Sequence, residues 1–461
     1  MKKPAISALI SLLALVLATP AQAIDGALAD PVQIQVVHLT NTNVYNTSVL
    51  ALPKNASLVS WLDSYTTNNL RARTVSSSNE LGRIITLNTT PASVGMSMQN
   101  APKVVGNSSG KLLAIWISSK IVNDVEYQKV LGRTSSNGSN WSKAFLIAKP
   151  IPVTGGQRCE DDMGMGGCGY SRIYAAVDGS GRYSVAVGVA STTENNKTDL
   201  KVTTASKTNA WSPLKKIGSL RDIRQVELVG LRSGFMFGYT NYVSGTSCSF
   251  IVSYFNPVKK LWGAALKAQS IADNTVIQGK IVQRDAKTVS IVTIPELLGG
   301  IQVRNFSLVT RKFTSFSATA KPAVTDVVYQ NVSAAARGSK LVIGYASYDR
   351  NTAETAANLI VQTGLTGGFT SNVLETANNQ IDPLAVGING AGHPYFSYMQ
   401  YEVGSHLTVL NGSNTPMTLN SPGNAGYSSG MLVSKSDLVS LLALQGDAGT
   451  YDIYLTKGQM K

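Results

Sequence analysis

A unit of about 53 residues recurs along this chain. Each copy has a short strand, a Gly- or Lys-bearing turn, an alternating apolar strand, a polar loop, a third strand and a turn ending at an aromatic. The second strands are expected at Leu112–Ile117, Tyr183–Val189, Phe235–Tyr239, Val289–Ile294, Leu341–Tyr345, Tyr395–Met399 and Leu438–Leu444. Their middle steps are 52, 53, 53 and 53 residues. A fixed period near this length with four strands per unit is the signature of a β-propeller. The expected fold is therefore all-β, a seven-bladed propeller of four-stranded blades over residues 81–461.

The seventh unit has no fourth strand of its own before Lys461, and an unpaired edge is a liability. An N-terminal strand is expected to close the last blade, and Arg83–Thr89 alternates suitably. Residues 24–80 then read as an extension packing on the propeller, with a strand at Val32–Leu39 and a short helix within Ala56–Leu70.

Residues 1–23 read as a secretory signal: Lys2 and Lys3, the apolar run Ile6–Leu17, and the small-residue site Ala21-Gln22-Ala23. No later stretch has the length and apolarity of a membrane span. The expected location is outside the cytoplasm, periplasmic or extracellular. In such a compartment Cys159 and Cys168, which flank a Gly-rich acidic loop, can form a disulfide. Cys248 is left over, and pairings that use it remain open.

The chain carries 40 Lys and Arg against 26 Asp and Glu, a formal charge of +14, or +12 without Lys2 and Lys3. Strand order sorts these charges. Loops between second and third strands, and those between blades, share one end of a propeller. That end collects most carboxylates together with Arg172, Arg221, Asp222, Tyr242, Tyr348, Arg350 and Tyr401, the candidate ligand-binding face. The opposite hairpins carry Lys111, Arg182, Lys207, Lys259, Lys260, Arg284, Lys287, Arg311, Lys312, Arg337, Lys340, Lys435 and Lys457. Lys259, Lys260, Arg311 and Lys312 are the candidate basic face, suited to an anionic cell-surface polymer.

Thr134-Ser135-Ser136-Asn137-Gly138-Ser139-Asn140-Trp141 resembles the Asp-box of sialidase-like propellers, with Ser136 in place of the aspartate. Tyr170-Ser171-Arg172-Ile173-Tyr174 resembles a distorted copy of the aromatic-Arg-Ile-Pro segment of the same superfamily. The resemblance implies a propeller. The superfamily's hydrolases further need three arginines on a carboxylate and a Tyr–Glu pair, for which Arg172, Arg221 and Arg350 with Tyr348 or Tyr242 are the candidates.

No His pair has metal spacing, no nucleophile elbow occurs, and no phosphate loop stands between strand and helix. No cofactor, metal or specific nucleic acid is expected. The expectation is a non-catalytic exported propeller that recognises a glycan or protein at the bacterial envelope through its acidic, Tyr-bearing end. The alternatives are a sialidase-like glycoside hydrolase and a scaffold subunit of an envelope complex.

Overall fold

The computed structural model describes residues 32–38, 47–62, 69–90, 92, 101–153, 169–190, 197–205, 210–220, 222–243, 247–272, 275–295, 300–318, 327–349, 351–377, 381–390, 392–400, 406–410, 416–420, 427–433, 438–445 and 450–459. The expected signal segment and Cys159 and Cys168 lie outside them.

The described residues form eight antiparallel sheets of four strands, seven of them in chain order and one closed by an N-terminal strand, and one of the seven has its outer strand in two pieces. The first strands are Ser48–Ala51, Lys103–Gly106, Tyr170–Val177, Asp222–Gly230, Ile277–Gln283, Val327–Arg337, Ile381–Ile388 and Tyr427–Val433, here blades 1 to 8. Each first strand contacts the first strand of the next blade, and that of blade 8 contacts that of blade 1. Eight sheets joined by their inner strands into a closed ring make a β-propeller.

The expected count of seven is one short. Blade 1 is built from Ser48–Ala51, Ser57–Leu62, Leu70–Val75 and Ile85–Thr86. Its second strand, Ser-Leu-Val-Ser-Trp-Leu, is buried at all six positions. A strand covered on both faces shows no alternation, so its pattern does not distinguish strand from helix. The helix expected within Ala56–Leu70 is replaced there by this strand, and the nearest helical turn is the single 3-10 turn Pro53–Asn55. The expected domain boundary near residue 80 falls inside blade 1, between its third and fourth strands.

The closing strand is also corrected. Val32–His38 pairs antiparallel with Thr450–Gln459 as the outer strand of blade 8. Within Arg83–Thr89, Ile85–Thr86 pairs with Leu70–Val75 and completes blade 1 instead.

The apolar core lies between blades. Leu113, Ile115 and Ile117 of blade 2 pack on Ile173, Val185 and Val187 of blade 3. Phe250 and Val252 of blade 4 pack on Ile277, Ile291 and Phe306 of blade 5. Val59 and Trp61 of blade 1 pack on Ile453 and Leu455 of blade 8, which carries the core across the seam. Burying such side chains fully is worth about 1.5–3 kcal/mol each, so blade contacts dominate the fold's stability. Among the described residues, no helix is long and apolar enough to cross a membrane.

Candidate functional site

Two rings of turns form the end expected to be basic. The hairpins between first and second strands lie near the axis, and those between third and fourth strands lie further out. The inner turns are tied to one another. Asn107 of blade 2 donates to the Asp178 carbonyl of blade 3 at 2.7 Å. Asp178, fully buried, accepts from Arg182 Nε at 2.7 Å and from the Gly234 N–H of blade 4 at 2.9 Å. The Arg232 N–H donates to Gln283 Oε1 of blade 5 at 2.6 Å.

Arg284 of blade 5 is only 4% exposed. Its guanidinium reaches the Gly364 carbonyl at 2.8 Å, the Gln362 Oε1 at 3.1 Å and the Ser339 carbonyl, all on blade 6. Lys340 Nζ donates to the Gly392 carbonyl of blade 7 at 2.8 Å. Lys457 of blade 8, also 4% exposed, donates to the Ser76 carbonyl beside blade 1 at 2.7 Å.

Arg182, Arg284, Lys340 and Lys457 are therefore interblade staples. Their charges are spent on carbonyls and a buried carboxylate rather than offered to a ligand.

The outer turns of blades 4 and 5 differ. Lys259, Lys260, Arg311 and Lys312 are all exposed, and no carboxylate pairs with any of them among the described residues. Lys260 (φ 52°) and Arg311 (φ 58°) are left-handed. The two turns are alike because each follows a Phe with a capping side chain. Asn256 Oδ1 accepts from Val258 N–H at 3.0 Å, and Ser307 Oγ accepts from Thr310 N–H at 3.1 Å.

Between these turns lies a cavity of about 300 Å3. Met236 and Val252, both buried, close its base. Tyr254, Trp262 and Phe306 supply aromatic walls, with the Tyr254 and Phe306 ring centroids 6.2 Å apart. Lys259 and Arg311 stand at its mouth beside Asn256. Beside the cavity the outer strand of blade 4 is split into Leu261–Trp262 and Leu266–Ile271, with Gly263 held to the third strand by its N–H donating to the Tyr254 carbonyl at 2.9 Å and its carbonyl accepting from Ser253 Oγ at 2.9 Å. Burial raises the Tyr254 phenol, with Arg311 and Arg182 acting the other way. Sequence reasoning named the two cations and missed the cavity.

The opposite end is described in part. Arg172 lies on the inner strand of blade 3, next to a break in register, and is 4% exposed. It sits close enough to Tyr174 to offset part of the burial that pushes that phenol up to about 12. Lys103 Nζ of blade 2 lies 5.7 Å from the Tyr174 ring centre, and burial lowers Lys103 to about 8. Arg172, Tyr174 and Lys103 are thus brought together at the inner strands.

Tyr242 and Tyr348 end the second strands of blades 4 and 6, both half-buried and two blades apart. Asp222 begins the inner strand of blade 4 opposite Tyr242. Arg221, Arg350 and Tyr401, and with them the arginine clamp implied by the sialidase resemblance, lie outside the described residues.

The Asp-box-like turn joins the third and fourth strands of blade 2, as expected. Asn137 rather than residue 136 holds it, its Oδ1 accepting from Ser139 N–H at 3.0 Å and Asn140 N–H at 2.9 Å. Gly138 takes φ 76°, and Trp141 Nε1 donates to its carbonyl at 2.9 Å. Trp141 packs on the interface with blade 1, which is an architectural role. Cys248 is a buried thiol between blades 4 and 5, its Sγ accepting from Ile277 N–H at 3.3 Å. No cluster of three or more metal-ligating side chains occurs among the described residues.

No family model and no curated protein matches the chain. Among solved structures it is similar to the polysaccharide lyase Uly1, at 10% identity over 90% of each chain with a TM-score of 0.49. It is similar to the Dos1 propeller, at 10% identity over 92% of this chain and 95% of that one, TM-score 0.48. A polysaccharide lyase described as a PL25 ulvan lyase bound to -[GlcA(1-4)Rha3S]- matches at 8% identity over 92% and 95%, TM-score 0.48. The propeller architecture rests on the closed ring of sheets itself.

Proposed function

We propose that this protein is an exported binding propeller that recognises an anionic glycan at the cell envelope through its basic end. The observation that carries this reading is the division among the cations. Arg182, through Ser233 Oγ of blade 4 at 3.0 Å, and Arg284, Lys340 and Lys457 are consumed by interblade bonds, whereas Lys259, Lys260, Arg311 and Lys312 project from neighbouring outer turns with no carboxylate opposite them among the described residues. Cations held clear of intramolecular partners create a local field that concentrates anionic ligands. The acidic end remains a candidate second surface, for which Arg172, Tyr242 and Tyr348 are the described members.

An array of acidic and neutral polysaccharides tests the reading. The mature chain is expected to retain acidic polymers and to release them as salt rises from about 50 to about 500 mM, where screening shortens to a few Å. Reversing Lys259, Lys260, Arg311 and Lys312 to Glu is expected to weaken retention by roughly tenfold or more, with thermal stability unchanged. Retention that survives the reversal would refute the basic-end reading.

A further inference from the structure

The cavity between the outer turns of blades 4 and 5 carries more than charge. We propose that it is a binding site for one carboxylate-bearing pyranose unit, a uronic acid residue of an acidic glycan. The proposal rests on the anion-binding reading of the same end and adds to it a place and a chemical group.

Asn256 is the first reason. It is 7% exposed and lines the cavity. Its Oδ1 is occupied by the N–H groups of Val258 at 3.0 Å and Lys259 at 3.2 Å, which fixes the orientation of the amide. Its Nδ2 is buried with no hydrogen-bond partner among the described residues. A buried donor left unsatisfied is costly, and a ligand oxygen would satisfy it.

The cations are the second reason. Lys259 and Arg311 reach the mouth from different blades, so an anion between them would be held from two sides. The planar fork of Arg matches a carboxylate with two parallel hydrogen bonds.

The third reason is the aromatic lining. Tyr254, Trp262 and Phe306 offer apolar faces on which the C–H face of a sugar ring packs. The volume lies at the small end of the range for ligand sites, room for a single ring rather than a polymer. A bare anion would leave the aromatic walls unused, and a neutral sugar would leave both cations unpaired.

Calorimetry on the mature chain with a short oligogalacturonate tests the site, with a neutral oligomer of matched length, its sulfated form and an oligothymidylate as comparisons. The uronate oligomer is expected to bind and to change tryptophan emission, and Trp262→Phe is expected to remove that change.

Asn256→Asp keeps the turn's acceptor oxygen and replaces the donor with an anion. It is expected to weaken uronate binding by about tenfold or more without lowering thermal stability, and Arg311→Gln to weaken it similarly. Wild-type affinity in Asn256→Asp would overturn the proposal, as would equal affinity for oligothymidylate or the sulfated neutral oligomer.

Lys260→Glu with Lys312→Glu separates the two readings, because neither residue lines the cavity. Loss of polymer retention with oligomer affinity kept within a few-fold supports both. Polymer retention by a wild-type protein that does not bind the oligomer overturns the pocket alone, and failure to bind either overturns both.

Discussion

Lys260 and Arg311 occupy matching corners in the outer turns of adjacent blades, each with positive φ. A left-handed backbone costs a side-chain-bearing residue roughly 1–2 kcal/mol and suits glycine. The chain nevertheless places a cation at both corners, which fits selection for what the side chains meet. Lys260→Gly with Arg311→Gly is expected to hold or raise stability by up to about 1 kcal/mol while weakening binding to acidic polymers. Chemical denaturation alongside the binding assay checks both halves.

Buried titrating groups give a second residue-scale prediction. Burial lowers Lys103 and Lys457 to about 8 from 10.5. Between about pH 8 and 10.5 the unfolded chain binds more protons at these two sites, so their contribution to stability rises with pH. Burial pushes Tyr170 and Tyr174 up to about 12 from 10.0, so above pH 10 the folded chain holds protons that the unfolded chain sheds, and stability falls. The denaturant midpoint is expected to climb from pH 8, peak near 10 and then drop. Lys103→Met with Lys457→Met is expected to flatten the climb.

At the scale of elements, blade spacing is set where a side chain has no room. Gly230, ending the inner strand of blade 4, lies against the Val177 carbonyl of blade 3, so a methyl there would meet backbone. Gly230→Ala is expected to cost about 1–3 kcal/mol. At Gly368 a methyl would meet nothing within 4 Å, and Ala is expected to be tolerated there within about 0.5 kcal/mol. Paired denaturation curves decide this.

The second strands of blades 2 to 6 are covered on both faces over six or more residues, as Ser57–Leu62 is, so burial alone does not set blade 1 apart. Trp61 precedes Trp116 by 55 positions, and both are fully buried on second strands. That pair extends the period into blade 1, where Ser-Leu-Val-Ser-Trp-Leu lacks the alternation seen in Tyr183–Ala190.

The candidate site was legible only in part. The sequence shows where cations fall among the turns, but not that Arg284 reaches a neighbour 80 positions away while Arg311 reaches none among the described residues. Nor can a sequence show that Asn256 spends its oxygen locally and leaves its nitrogen over.

At the scale of the molecule, the ring depends on its seam. Blade 8 takes its outer strand from the N-terminus, and Lys457 ties the same blade to the Ser76 carbonyl. Deleting residues through His38 exposes the edge of Thr450–Gln459 and is expected to lower the melting temperature and promote self-association. Thermal scans and light scattering on the truncated chain are the check.

Val36 faces Asp452 across a separation of 416 positions. Contacts so distant in sequence form slowly, because a long loop must close before any pairing rewards it. The first of the described strands is thus the last to find its partner. Until Thr450–Gln459 is synthesised, Val32–His38 has no strand to pair with, and a chaperone that masks it during that wait would set the yield of the finished ring.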